Sequence, residues 1–285
     1  MGLYNKKKPR HPINRIVLPG IVITVLLALA IGLGLRLHSL HGLIMMKIGR
    51  YEQAAGLFNK AIEFDPNNAY AHYYLALNLL KINNLEGAEL SAQFATQLMT
   101  EFADAHLLAS EIQLKMGDLG KAVKAAKKAT LADPRNVKYR FWLGAALLEA
   151  GRAREAANAF SVVLAYKPGD SNARYKLGLA YYNLGLYGQA LNHLTQAAKT
   201  NPNDSYFQYD LGRALAATGD EEGAVQALIK SVDIKPDYYF SVYELGTLLL
   251  RAGKTEEAIH HFEKAIKINP DLTHAQSALM KIRND

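Results

Sequence analysis

Apolar residues recur three and four positions apart over two stretches of about a dozen residues, a short break separates the stretches, and the pair returns every 34 residues. The pattern runs seven times from Leu35 to Leu272 without an insertion. Spacing of three and four predicts amphipathic helices, so each period reads as a helix, a turn and a second helix. With units starting at Leu35, Ala69, Ala103, Val137, Ser171, Ser205 and Tyr239, residue types fall into columns. Position 20 is always alanine, and position 8 is always small (Gly42, Ala76, Ser110, Gly144, Gly178, Gly212, Gly246). Position 15 is glycine except at Asn83, and position 32 is proline except at Thr100. Glycine after the first stretch predicts a left-handed helix stop. Small side chains at most of positions 8, 20 and 27 let two helix backbones approach closely. A unit this short cannot bury its apolar face alone, so neighbouring units must stack.

These columns resemble those of the tetratricopeptide repeat family, whose 34-residue helix-turn-helix unit has small or aromatic residues at positions 4, 7, 8, 11, 20, 24, 27 and 32. Leu177, Gly178, Tyr181, Gly185, Tyr187, Ala190, Ala197 and Pro202 match nearly column for column, and the resemblance covers about five sixths of the chain. Asn83, Thr100 and Ala109 are its departures. The resemblance implies an all-α fold, a right-handed superhelix (α-solenoid) of seven repeats at 35–68, 69–102, 103–136, 137–170, 171–204, 205–238 and 239–272. It also implies that first helices line a concave groove, with positions 2, 5, 9, 12 and 13 facing a bound protein or extended peptide. Carried onto this chain, position 2 holds Tyr70, Tyr206 and Phe240, position 5 holds Tyr73, Phe141, Tyr175, Tyr209 and Tyr243, and position 12 adds Tyr182. Tyrosine combines a broad apolar face with a polar tip and loses little rotamer entropy, which suits it to interfaces. Lys81, Lys115, Arg213 and Arg251, beside Asp104, Glu111 and Glu149, give the wall both signs of charge. The expected partner therefore has apolar or aromatic anchors and scattered charges of both signs. The chaperone-binding members use Lys at position 5 and Asn at position 9; no repeat here has either, so a two-carboxylate clamp is not expected. Nor is there the asparagine ladder of the sugar-transferring members.

A different segment precedes the repeats. Residues 16–35 are twenty residues without a charge, long enough as a helix to span about 30 Å of hydrocarbon. Lys6, Lys7, Lys8, Arg10 and Arg15 lie before them with no acidic residue. This predicts a basic cytoplasmic tail at 1–15 and a transmembrane helix at 16–35, with the repeats on the periplasmic or otherwise extracytoplasmic side. A cleaved secretory signal would turn polar after Ala28-Leu29-Ala30, whereas the apolar run continues to Leu35, which favours an uncleaved signal anchor. Thr24, Ala28 and Gly32 form a small-residue face that permits a homodimer through the span. Arg36 to Lys47 follows without proline or linker, Gly32 and Gly34 being the available bends, so the array is expected to sit against the membrane. At the other end, Thr273 to Asp285 places Ala275, Leu279 and Ile282 on one side, which predicts a capping helix.

Charge changes this picture little. Of the net charge of +7, five cations belong to the tail; elsewhere 28 Lys and Arg face 26 Asp and Glu. The excess is a topology signal, and nucleic acid is not an expected partner. Lys121, Lys124, Lys127 and Lys128 read as a solvated helix face. The absence of cysteine excludes disulfides, a lipoprotein attachment site and thiolate metal sites. The repeats and leader use all but thirteen residues, which leaves no room for a catalytic domain. His38, His72 and His106 share position 4, but stacked helices lie on the order of 10 Å apart, too far to share one metal. They read as packing residues where the family has tryptophan, and adjacent His260 and His261 point in different directions. No enzyme activity, cofactor or metal is expected. The function expected is a membrane-anchored interaction scaffold or assembly factor, for an envelope machine, a secretion or pilus system, or a polysaccharide-export complex. The alternative is a regulatory or substrate-delivering subunit of a membrane-bound enzyme such as a glycosyltransferase or protease.

Overall fold

The computed structural model describes residues 37–284, and among them every regular element is an α-helix. The helices come in pairs: α1 (37–47) with α2 (Tyr51–Phe64), α3 (Ala69–Lys81) with α4 (Leu85–Leu98), α5 (Ala103–Met116) with α6 (Leu119–Ala132), and α7 (Val137–Glu149) with α8 (Ala153–Tyr166). Then follow α9 (Ser171–Asn183) with α10 (Tyr187–Thr200), α11 (Ser205–Thr218) with α12 (Glu221–Ile234), α13 (Tyr239–Arg251) with α14 (Thr255–Ile268), and a last helix α15 (Thr273–Asn284). From α3 onward each first helix starts at position 1 of the 34-residue register, and from α2 onward each second helix starts at position 17. The helices form two compact units, one ending at Met116 and one beginning at Gly117. Within each unit consecutive helices pack on one another: α2 on α3, α3 on α4 and α4 on α5 in the first, and α6 through α15 in order in the second.

Side-chain volume is exchanged between two columns to seat each hairpin. A Cβ built on Gly178 would lie 2.7 Å from Leu194 Cγ, and one on Gly212 would lie 2.9 Å from Leu228 Cγ. Gly42, Gly144 and Gly246 stand in the same way against Phe58, Phe160 and Phe262, at 2.9, 2.9 and 3.0 Å. Position 24 is thus large wherever position 8 is glycine. Where position 8 is Ala76, position 24 is only Ala92, and both are buried. The helices can approach closely only if one of the two facing side chains is nearly absent.

The turn between helices is likewise one solution repeated. Position 15 takes a left-handed backbone in every repeat, the glycines running from φ of +71° at Gly151 to +92° at Gly219. Asn83 adopts φ of +61°, as the residue type that tolerates this region best after glycine.

Position 4 carries a hydrogen-bond donor in several repeats. His72 Nε2 lies 3.0 Å from the carbonyl of Pro66, and His106 Nε2 lies 2.8 Å from that of Thr100. Arg174, Gln208 and Gln276 donate in the same way to Pro168, Pro202 and Pro270. The carbonyl only accepts, so Nε2 of both histidines carries the proton. His72 also stacks on Phe94, 5.2 Å between ring centres, and His38 on Phe64 at 5.5 Å. The histidines therefore pack, as expected, and two of them also tie the start of one repeat to the end of the preceding one.

The predicted basic tail and membrane span, residues 1–15 and 16–35, lie outside the described residues. Among the described residues no helix is long and apolar enough to cross a membrane. At the other end α15 buries Ala275 and Leu279 against a core that includes Leu249 and Phe262, and Arg283 pairs with Glu263 at 3.1 Å.

Candidate partner-binding groove

Four first helices of the second unit, α7, α9, α11 and α13, contribute to an open cavity of about 370 Å³. Its lining includes Glu149 from α7, Lys176 and Leu179 from α9, Tyr209 and Arg213 from α11, and Phe240 from α13. A neighbouring cavity of about 270 Å³ shares Arg213 and adds Tyr182, Glu244, Leu248 and Arg251. Both are built largely from positions 2, 5, 9, 12 and 13 of the register, with position 6 added.

Arg213 sits where the two cavities meet and is held from two sides. Its Nη1 lies 3.1 Å from Asp210 Oδ1, and its guanidinium carbon lies 4.5 Å from the centre of the Tyr182 ring. Asp210 is 7% exposed, and the Tyr175 hydroxyl donates to its other oxygen at 2.5 Å. Burial pushes the Asp210 carboxyl up, while the Tyr175 hydroxyl and Arg213 pull it down. Burial, then the Asp210 charge, pushes the Tyr175 phenol up, so it stays a donor. Asp210 thereby fixes a cation over an aromatic face, an arrangement that strengthens as water is excluded.

The aromatic residues divide into packed and presented sets. Tyr175 stacks on Phe207 with ring centres 4.1 Å apart, Tyr243 packs at 5.7 Å from Phe262, and Phe141 packs edge-on against Phe160 at 5.6 Å. Tyr209 is only 8% exposed: its ring forms part of the floor of the cavity, wedged against Tyr238 at 5.3 Å. Tyr206 and Phe240, at position 2, are 45% and 42% exposed, and Tyr182 is half-buried at the mouth. Lys235 Nζ donates to the Tyr206 hydroxyl at 2.8 Å, pinning that ring. Phe141 lines a separate cavity of about 230 Å³ with Trp142.

The first unit has its own aromatic cluster. Tyr70, 53% exposed, and Tyr73 both pack on Phe102, with ring centres 4.8 and 5.0 Å away. Burial, followed by the charge of Asp104, pushes the Tyr73 phenol up to about 12.

Phe102 and Tyr238 are the residues that sequence reasoning missed. Both occupy position 34, where Asn68, Asn136, Asp170 and Asp204 accept hydrogen bonds from the first backbone N–H groups of the next helix. Tyr238 makes no such side-chain cap and instead joins Tyr206, Tyr209 and Phe240 into one cluster. The signal was present: an aromatic residue in a column where Asn or Asp caps the next helix in four repeats gives up about 1 kcal/mol of helix stabilisation, which makes sense where the ring has a surface to build. Among the described residues no group of three or more His, Cys, Asp or Glu is placed to hold a metal.

Sequence models of the tetratricopeptide repeat match residues 107–173, 175–239 and 242–272, and a TPR repeat model matches residues 42–82. No curated protein matches the chain. Among solved structures, YrrB, described as a TPR protein with an unusual peptide-binding site, is 24% identical over 66% of this chain and 96% of its own, with a TM-score of 0.55. MamA from residue 41 onward, from Desulfovibrio magneticus RS-1, is 24% identical over 60% and 96% of the two chains, with a TM-score of 0.54. A tetratricopeptide repeat protein from Parabacteroides merdae is 14% identical over 88% and 99%, with a TM-score of 0.71. At these identities the likeness is one of fold.

Proposed function

The chain belongs to the tetratricopeptide repeat family, and from that premise we propose that it is a membrane-anchored scaffold that captures an extended protein segment in the groove of its second unit. The observation that carries the reading is the pair of cavities joined at Arg213, where a fixed cation, the exposed ring of Phe240, and both signs of charge line one open surface. YrrB supports it by analogy, since a peptide-binding site is reported for that protein. The partner segment carries an aromatic or aliphatic anchor for the larger cavity. Beside the anchor it carries a charged or polar residue for Arg213, Glu244 and Arg251.

Anchoring rests on the sequence. Twenty uncharged residues after five cations read as a signal anchor that leaves the amino terminus cytoplasmic and the repeats on the far side. The chain is then tethered to the bilayer, as an assembly factor for an envelope complex would require.

The test is affinity capture from solubilised membranes with the wild-type chain and with Tyr182→Ala, Phe240→Ala and Arg251→Glu combined. Tyr175 and Tyr209 are left intact, because their packing makes them structural. Tyr166→Ala on α8, at a side chain 73% exposed and outside the groove, serves as control. The triple variant is expected to lose a partner that the control retains. A folded triple variant that keeps every partner removes the groove from the proposal.

A further inference from the structure

One face of α1 is exposed where every later repeat buries it. Position 3 is 0 to 5% exposed in α3, α5, α7, α9, α11, α13 and α15, and position 10 is 0 to 4% exposed in α3 through α13. In α1 the same columns hold Leu37, 57% exposed, and Ile44, 49% exposed. Leu40 and Ile48, each 58% exposed, extend the patch. At 100° per residue the four side chains fall within an arc of about 80°. The opposite face is engaged: Gly42 is buried against Phe58. In every later repeat the preceding second helix covers this face, and among the described residues α1 has none.

We propose that this apolar face of α1 rests in the interfacial layer of a lipid bilayer, so that lipid closes the end of the first unit. The proposal rests on the anchored reading above. Leu37 follows Leu35, the last of the twenty uncharged residues, by only two positions, so a span at 16–35 holds α1 within reach of the headgroups. The surroundings of the patch match anionic lipid: Arg36, Lys47 and Arg50 lie in or beside α1, and residues 36–50 contain no Asp or Glu. Large aliphatic residues on a narrow arc with cations at its borders are what an interfacial helix needs, because the aliphatic groups leave water while the cations stay with the phosphates. On the anchored reading, Gly32 and Gly34 are the glycines available for a bend between a crossing segment and a helix lying along the surface. A protein partner would need no such uniformly basic border.

The absence of cysteine makes the test direct. Single cysteines at Leu40→Cys and Ile44→Cys, with Tyr166→Cys as control, are labelled with an environment-sensitive fluorophore. The full chain is placed in vesicles of phosphatidylcholine with a minority of phosphatidylglycerol. All three positions are exposed, so the substitutions leave the core untouched. Spin label near the lipid headgroup is expected to quench the probes at 40 and 44 about threefold more than the probe at 166, with aqueous iodide showing the reverse order. Probes at 40 and 44 as open to iodide as the control overturn the proposal, since the face then lies in water. Probes shielded from both quenchers also overturn it, since protein then covers the face. Vesicle flotation separates the two failures. A chain that does not float removes the anchored reading and this inference with it; a chain that floats with unquenched probes removes this inference alone.

Discussion

The two ends of the repeat array meet the same physical demand in opposite ways. At one end α15 lays Ala275 and Leu279, 0% and 7% exposed, on the core of the last repeat, and turns Met280, Lys281 and Arg283 outward. At the other end α1 turns Leu37, Leu40 and Ile44 outward. Ala275 and Leu37 occupy the same column of the register, yet one is fully buried and the other more than half exposed. The difference teaches that burial in a stacked array is conferred by the neighbour and not by the hairpin's own sequence. An apolar residue in such a column therefore asks what lies next to it.

The largest expected effect breaks this comparison by removing one large aliphatic side chain at each end. Leu279→Ala leaves a cavity in a packed site and should cost about 2–4 kcal/mol. Ile44→Ala removes a side chain already 49% exposed and should cost about 0.5 kcal/mol or less. Urea unfolding of the detergent-solubilised chain measures both. Equal losses would mean that the two ends are covered alike.

Between the ends, the exchange of volume between positions 8 and 24 offers the next largest effect. Gly178→Ala forces a Cβ to within 2.7 Å of Leu194 Cγ, and should cost about 1–3 kcal/mol despite the better helix propensity of alanine. On a Leu194→Ala background the contacts with the leucine side chain are gone and only the 3.3 Å approach to the backbone N of residue 194 remains, so the same substitution should become close to neutral. That background reproduces the Ala76 and Ala92 pair found in the second repeat. A cost unchanged by the second substitution would show that backbone, not Leu194, meets the new methyl group.

How much of this was legible in the sequence depends on which partner a residue answers to. The all-α repeat array was readable because helix period, turn glycine and small columns are local properties that recur at fixed spacing. Position 8 was recognised as small, but its pairing with position 24 involves residues sixteen apart and emerges only when the two helices are laid together. The residues at position 2 stand on an open surface, whereas Tyr209 at position 5 is nearly covered, because its surroundings are set by Tyr238 at the end of its own repeat and Phe240 at the start of the next. Phe102 and Tyr238 escaped notice because they stand outside the columns that the family resemblance marks as groove-facing. Their aromatic character in a capping column was the clue. The role of Asp210 could not be read at all. It depends on the Tyr175 hydroxyl, 35 residues earlier, meeting a carboxylate one turn from Arg213.

A smaller effect tests whether electrostatics adds to the contrast at the covered end. Burial raises the Glu244 carboxyl from its ordinary value of 4.5, and Arg213 and Arg251 only partly offset this. An acid raised in the folded state favours folding while protonated and loses that contribution as pH climbs through its folded value. Glu244→Gln should therefore raise stability at neutral pH by a fraction of a kcal/mol, since water still reaches the group. The gain should vanish once pH falls below the ordinary carboxylate range. Thermal unfolding across pH 4 to 7 measures it; a gain that persists at the acid end would come from packing instead.

The smallest effect concerns the turns, which must be equivalent if neighbours alone distinguish the ends. Asn83 is the one non-glycine among the described residues at positive φ, at +61°, while glycine fills the same position in the other units at +71° to +92°. A left-handed backbone costs an ordinary residue about 1–2 kcal/mol, and asparagine less because its short polar side chain tolerates the region. Asn83→Gly removes that cost but adds backbone entropy to the unfolded chain, so the net gain should be a few tenths of a kcal/mol. Asn83→Ala should instead lose about 1 kcal/mol, because alanine has neither tolerance. If Asn83→Gly proved destabilising, the asparagine side chain would be holding something that glycine cannot. The second turn would then differ in kind from the others, and the contrast between α1 and α15 could no longer be assigned to their neighbours alone.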